Sequence, residues 1–85
     1  MPNWKEVSFI IRSKYRKEVL LSLIKPKTPT EIAKELNLHR AHISRALIDL
    51  TKQKLVTCLT PDEKKGRLYI RTKLGESLIK PLKEI

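Results

Sequence analysis

The 85-residue sequence predicts a mainly α chain with one small β-hairpin, in the order helix, helix, helix, hairpin, helix. Three observations lead there. Apolar residues recur at three- and four-residue spacing over most of the chain. A cap, a turn and a second helix follow one another without a gap from Thr28 to Lys54. A β-branched run from Leu55 to Thr60 then meets a turn at Pro61, Asp62 and Gly66, followed by an alternating run from Arg67 to Arg71.

Residues 3–12 (NWKEVSFIIR) start with Asn3 as a helix cap and Glu6 in the reciprocal position. Val7, Ile10 and Ile11 fall on one helical stripe, with Trp4 a turn earlier. A β-strand is the competing reading of VSFII, because β-branched and aromatic residues crowd there. Ser13 caps a second helical segment, KYRKEVLLSLIK, with Tyr15, Val19, Leu20, Leu23 and Ile24 on its inner face. A kink near Ser13 and one continuous helix both fit the pattern. Lys25-Pro26-Lys27 ends the segment, since proline cannot continue the hydrogen-bond ladder.

The third helix has a stronger start signal. Thr28 caps it, Pro29 suits its first position, and Glu31 completes a capping box. Ile32, Ala33 and Leu36 form its apolar face. Asn37 tolerates the left-handed conformation that ends a helix, so Asn37-Leu38-His39 is the turn and Leu38 its buried plug. The next helix buries Ile43, Ala46, Leu47 and Leu50 and turns Arg40, Ala41, Ser44, Arg45 and Ile48 outward. Two helices so joined are a helix-turn-helix, about residues 28–54.

The hairpin, about residues 55–71, has Leu68 and Ile70 alternating against Arg67, Tyr69 and Arg71. A basic hairpin directly after such a helix is a wing. Thr72 starts a last helix, about 72–85, with Leu74, Leu78 and Ile79 as its stripe and Pro81 as its end or kink. The expected fold class is therefore mainly α with a small β-hairpin, a winged helix-turn-helix occupying 1–85 as a single domain.

Lys and Arg number 19 against 9 Asp and Glu, a net charge of +10. So strong a balance favours a polyanionic partner, nucleic acid before an acidic membrane surface. A solvated lysine surface, as in thermophile proteins, is the plainer explanation of the same charge. Cys58 is the only cysteine, which excludes an intrachain disulfide. No apolar run approaches a membrane span or a signal peptide, so the expected location is cytoplasmic.

The segment TPTEIAKELNLHRAHISRALIDLTKQKLV, followed by LTPDEKKGRLYIRTKLGESL, resembles the winged helix-turn-helix of small archaeal transcriptional regulators, similar to the MarR and ArsR superfamilies. The resemblance covers about 12–78 and implies a homodimer on a palindromic DNA site. It also implies which residues meet DNA. At the start of the recognition helix these are His39, Arg40, Ala41, His42, Ser44 and Arg45. Arg40 and Arg45 carry most of the expectation, because a guanidinium can hold guanine O6 and N7 bidentately. Lys64, Lys65 and Arg67 of the wing would lie on the backbone or in the minor groove. Lys34, Lys52 and Arg71 are further phosphate candidates, as are Thr28 and Thr30. Asp49 would repel phosphate and mark where the helix leaves the groove.

His39 and His42 alone do not make a zinc site, which needs three or four ligands, and the paired cysteines of ArsR metal sensors are missing. The sequence has only two glycines and no phosphate loop, and Cys58 has no evident base beside it. No cofactor, metal or enzymatic activity is expected, and no effector is identified. A dimer through the terminal helices is expected from surplus, since Trp4, Phe9, Ile10, Leu78, Ile79, Leu82 and Ile85 exceed what a three-helix core with a wing requires; packing of the first and last helices on each other within a monomer is the alternative. The leading reading is a dimeric, sequence-specific repressor. A weakly specific architectural DNA-binding protein and a protein-docking winged helix are the alternatives, and salt dependence of binding separates DNA readers from the last.

Overall fold

The computed structural model describes residues 4–84. Six helices and two strands follow one another: α1 (Trp4–Ile11), α2 (Lys14–Ser22), α3 (Pro29–Leu36), α4 (Arg40–Lys52), β1 (Val56–Cys58), β2 (Tyr69–Arg71), α5 (Lys73–Ser77) and α6 (Ile79–Lys83). The expected order holds, with the last helix divided in two. VSFII is helical, because Val7 and Ile10 find a helical partner face and no strand partner. The expected Asn3 cap lies outside the described residues. Ser13 breaks the first helix from the second: its backbone is extended and its hydroxyl accepts from the Arg16 amide at 3.4 Å.

The helix-turn-helix follows its local signals closely. Thr28 accepts from the Glu31 amide at 3.2 Å, and Glu31 accepts from the Thr28 amide at 3.0 Å, which closes the capping box. Those contacts hold the Glu31 carboxyl below its ordinary value, the Thr28 backbone bond first and its hydroxyl second. Asn37 takes φ 55°, and the Leu38 amide reaches back to the Ala33 carbonyl at 3.0 Å. The same motif ends α4, where Lys54 takes φ 61° and Leu55 donates to Leu50 at 3.0 Å. Nothing in the sequence around Lys54 marked that turn.

The core is continuous from both ends of the chain. Val19, Leu20, Leu23, Ile32, Ile43, Ala46, Leu47, Leu50, Leu55 and Val56 are buried as expected, and Val7, Ile10, Leu78 and Leu82 join them from the two terminal segments. The surplus expected at the chain ends is thus smaller: α1 packs on α6, and Ile10, Leu78 and Leu82 close the core within one chain. Ile85 lies outside the described residues.

Four expectations need correction. Ile11 and Ile24 are exposed, the latter 76%, because α1 ends at Ile11 and α2 stops at Ser22 before Ile24 can turn inward. Leu38 is only half-buried. In the hairpin, Tyr69 packs on the core while Leu68 and Ile70 do not join it. Finally, the last helix breaks at Leu78, a turn before Pro81. Proline has no amide to bond the carbonyl four residues back, so the ladder fails ahead of it, and Pro81 sits in the first turn of α6 where no such bond is needed.

The two strands pair antiparallel in the register Val56↔Arg71, Thr57↔Ile70 and Cys58↔Tyr69. Lys27 adds a single bridge on the other side of β2, exchanging backbone bonds with Tyr69 at 3.1 and 2.9 Å. Gly75 lies against the Leu55 carbonyl, so closely that a methyl group there would collide with it.

Candidate nucleic-acid interface

Helix α4 is fixed from behind. Ile43, Ala46, Leu47 and Leu50 are buried against α2 and α3, so the opposite face stands outward. On it Arg40, Ala41, His42 and Arg45 are exposed and Ser44 is half-buried. His39, also exposed, is the N-cap residue but makes no side-chain cap bond, which leaves the first amides of α4 and the positive end of its dipole open to an anion.

The wing comes to the same end of the molecule. Arg40, Lys64, Lys65 and Arg67 share a shallow cleft of about 170 Å³, together with Thr28, Pro29, Thr30, Gly66 and Tyr69. Four cations and the N-terminus of α3 therefore converge, although the residues lie up to 39 positions apart (Thr28 to Arg67). Gly66 provides the positive φ of 67° at the wing turn, and Arg67 donates through Nε to the Glu63 carbonyl at 2.6 Å. A groove of this shape and sign suits the edge of a phosphate backbone.

The other expected contacts separate from that cleft. The His42 ring stacks on Tyr15 with centroids 4.4 Å apart, and His39 meets it edge-on at 5.9 Å. This ties the histidine pair to α2. Among the described residues no group of three His, Cys, Asp or Glu side chains could hold a metal ion. Lys34 and Lys52 are exposed, as a phosphate contact requires. Arg71 is not: its side chain is 8% exposed, paired with Glu76 at 3.0 Å and directed at the Leu20 carbonyl at 3.4 Å. The alternation in β2 had placed it outward; the observed register turns Tyr69 and Arg71 inward together. Lys27 is likewise internal, with Nζ 2.6 Å from the Ser22 carbonyl and 2.5 Å from Glu35.

Arg16 was missed, and Asp49, expected only to repel phosphate, has two arginine partners. Arg16 joins three helices: it donates to the Phe9 carbonyl at 2.8 Å, lies 4.1 Å over the Phe9 ring, and pairs with Asp49 at 3.2 Å. Asp49 in turn lies 3.6 Å from Arg45. The only available signal was the odd acidic residue on a basic helix.

No protein-family model and no curated protein matches the chain. Solved structures do. A MarR family transcription regulator is 25% identical, with a TM-score of 0.74 over 85% of this chain and 50% of its own. ZitR of Lactococcus lactis, in a mutant form, is 20% identical with a TM-score of 0.75, over 85% of this chain and 51% of its own. A mutant MepR from a multidrug-resistant S. aureus clinical isolate is 18% identical with a TM-score of 0.77, over 94% and 61%. The helices and the two-stranded hairpin described above thus form the winged-helix fold of MarR-type transcription regulators, in a chain that spans about half the length of the first of them.

Proposed function

We propose that the chain is a sequence-specific double-stranded DNA-binding transcriptional regulator, with no catalytic activity of its own. The observation that carries this reading is the convergence of Arg40, Lys64, Lys65 and Arg67 on one cleft beside the uncapped start of α4. In this reading α4 enters the major groove, with Arg40 and Arg45 reading guanine and Ala41, His42 and Ser44 lining the approach. His39 meets the backbone where the helix starts. The wing lies along the backbone or minor groove, and the whole 1–85 stretch acts as one winged-helix domain.

We further read the protein as a homodimeric repressor that occludes a palindromic site. Two-fold pairing of terminal helices would set two copies of α4 about one DNA turn apart. Trp4 and Ile11 support this: they are seven residues apart on α1, hence on one side of it, and both are exposed. A surface of two large apolar side chains on so charged a chain suits a partner of the same kind.

The test is selection from a random duplex library at about 150 mM salt, with the Arg40→Ala plus Arg45→Ala double variant as control. An inverted repeat that is lost in the double variant is the expected result. Binding without a motif would favour an architectural DNA-binding protein, and no retained DNA would favour a protein-docking module.

A further inference from the structure

Asp49 divides its carboxylate between two arginines of unlike surroundings. Its Oδ2 takes Nη2 of Arg16 at 3.2 Å, and its Oδ1 lies 3.6 Å from Nε of Arg45. Arg16 has little freedom, since the Phe9 carbonyl and ring hold it from α1. Asp49 is 18% exposed and so seated, whereas Arg45 is 80% exposed. We propose that Asp49 is a positioning residue for base reading by Arg45, anchored through Arg16 to the body of the domain. The inference rests on the DNA-reading function proposed above.

The chemistry follows from which edge of the guanidinium is engaged. Asp49 lies beside Nε at ion-pair distance, without a hydrogen bond, so Nη1 and Nη2 remain available as two donors. That pair matches O6 and N7 of guanine. An arginine standing alone on an exposed helix samples many rotamers and reaches phosphates as readily as bases. A carboxylate seated beside its Nε draws the guanidinium toward one position before DNA arrives. The carboxylate also repels the phosphates, so it disfavours poses in which α4 rides on the backbone without reading bases. Asp49 thus lowers affinity for DNA in general and raises discrimination in particular. A residue needed only for folding would do neither selectively.

The experiment is an anisotropy titration of the full chain, as wild type, Asp49→Asn, Arg45→Ala and the double variant. The probes are the duplex selected from the random library, its single-base-pair variants, and an unselected random duplex. Asp49→Asn is expected to lose at least about fivefold in discrimination at one base pair while binding the random duplex more tightly. Adding Asp49→Asn to Arg45→Ala is expected to cost nothing further at that base pair. Unchanged discrimination in Asp49→Asn, or an equal loss on every duplex, overturns the proposal. Asp49→Glu retains the charge and displaces the carboxylate by one methylene. It covers the case in which Asp49→Asn fails to fold: it should lose discrimination at the same base pair with random-duplex affinity unchanged, and full discrimination would overturn the proposal. A wild type without any base preference sinks the DNA-reading function itself, whereas a preference that survives both Asp49 variants sinks only the positioning role.

Discussion

The helix-turn-helix and the wing contribute to one cleft but are built in opposite ways. Helix α4 is held along its length by Ile43, Ala46, Leu47 and Leu50 in the core and by the Arg16–Asp49 pair. The wing is held only at its root. Three residue pairs form its ladder, the last cross-strand amide-to-carbonyl bond runs from Leu59 to Leu68 at 2.7 Å, and residues 61–67 beyond it are all exposed. A surface that must read base edges needs fixed geometry, because a bidentate contact tolerates little displacement. A surface that only neutralises phosphate needs charge and reach. On the function proposed above, packing density separates reading from holding within a single interface.

The sharpest test of that contrast is a pair of truncations. Leu50→Ala should destabilise the fold by about 2–5 kcal/mol in urea unfolding, whereas Leu59→Ala, half-exposed on the wing arm, should change it by less than about 1 kcal/mol. Comparable losses would mean that the wing is as firmly built as α4. Next in size, Gly75→Ala should cost about 1–3 kcal/mol, because the new methyl group meets the Leu55 carbonyl where α5 seats the wing root. If the wing is held at its root, DNA affinity should fall along with stability.

A smaller effect concerns the start of α3. Glu31 titrates below its ordinary value of 4.5 in the folded chain, with the Thr28 backbone bond as the largest cause. Below that ordinary value the unfolded chain takes up the proton first, so this contribution is present above pH 4.5 and is lost as pH falls through the depressed value. Glu31→Gln should therefore show a shallower loss of stability on acidification, followed by circular dichroism. Thr28→Ala, measured at neutral pH, should cost about 1 kcal/mol. The smallest change in stability is expected for Lys64→Ala plus Lys65→Ala, within about 0.5 kcal/mol. Their effect belongs elsewhere: the slope of log affinity against log salt should fall by about two, with base preference kept. A shifted base preference would make the wing a reader as well.

The same contrast explains what the sequence disclosed. Both boundaries of α3 are set by neighbours in sequence: Thr28 with Glu31, Pro29 at the first position, Asn37 in the left-handed region. Such signals survive without a tertiary structure. The wing offered strands of three residues, too short for alternation to say which face is inside, and Tyr69 outcompeted Leu68 and Ile70 for the core. Arg71 was misplaced with it. Arg16 and Asp49 are 33 positions apart, and only packing α2 against α4 joins them. The cleft cations were legible one by one from the motif, but their meeting with Thr28 and Thr30 depends on the fold.

The bridge between Lys27 and Tyr69 has a mechanical consequence. Lys27 immediately precedes the cap of α3, and Tyr69 begins the returning strand of the wing, so their paired backbone bonds clamp the two jaws of the cleft at one hinge pin. The Lys27 amine below, gripped by Ser22 and Glu35, locks that pin to the end of α2. Backbone bonds therefore join the two sides of the cleft at its base and fix its opening there. On the DNA-binding function proposed above, a duplex whose backbone does not match that opening has to deform to be held.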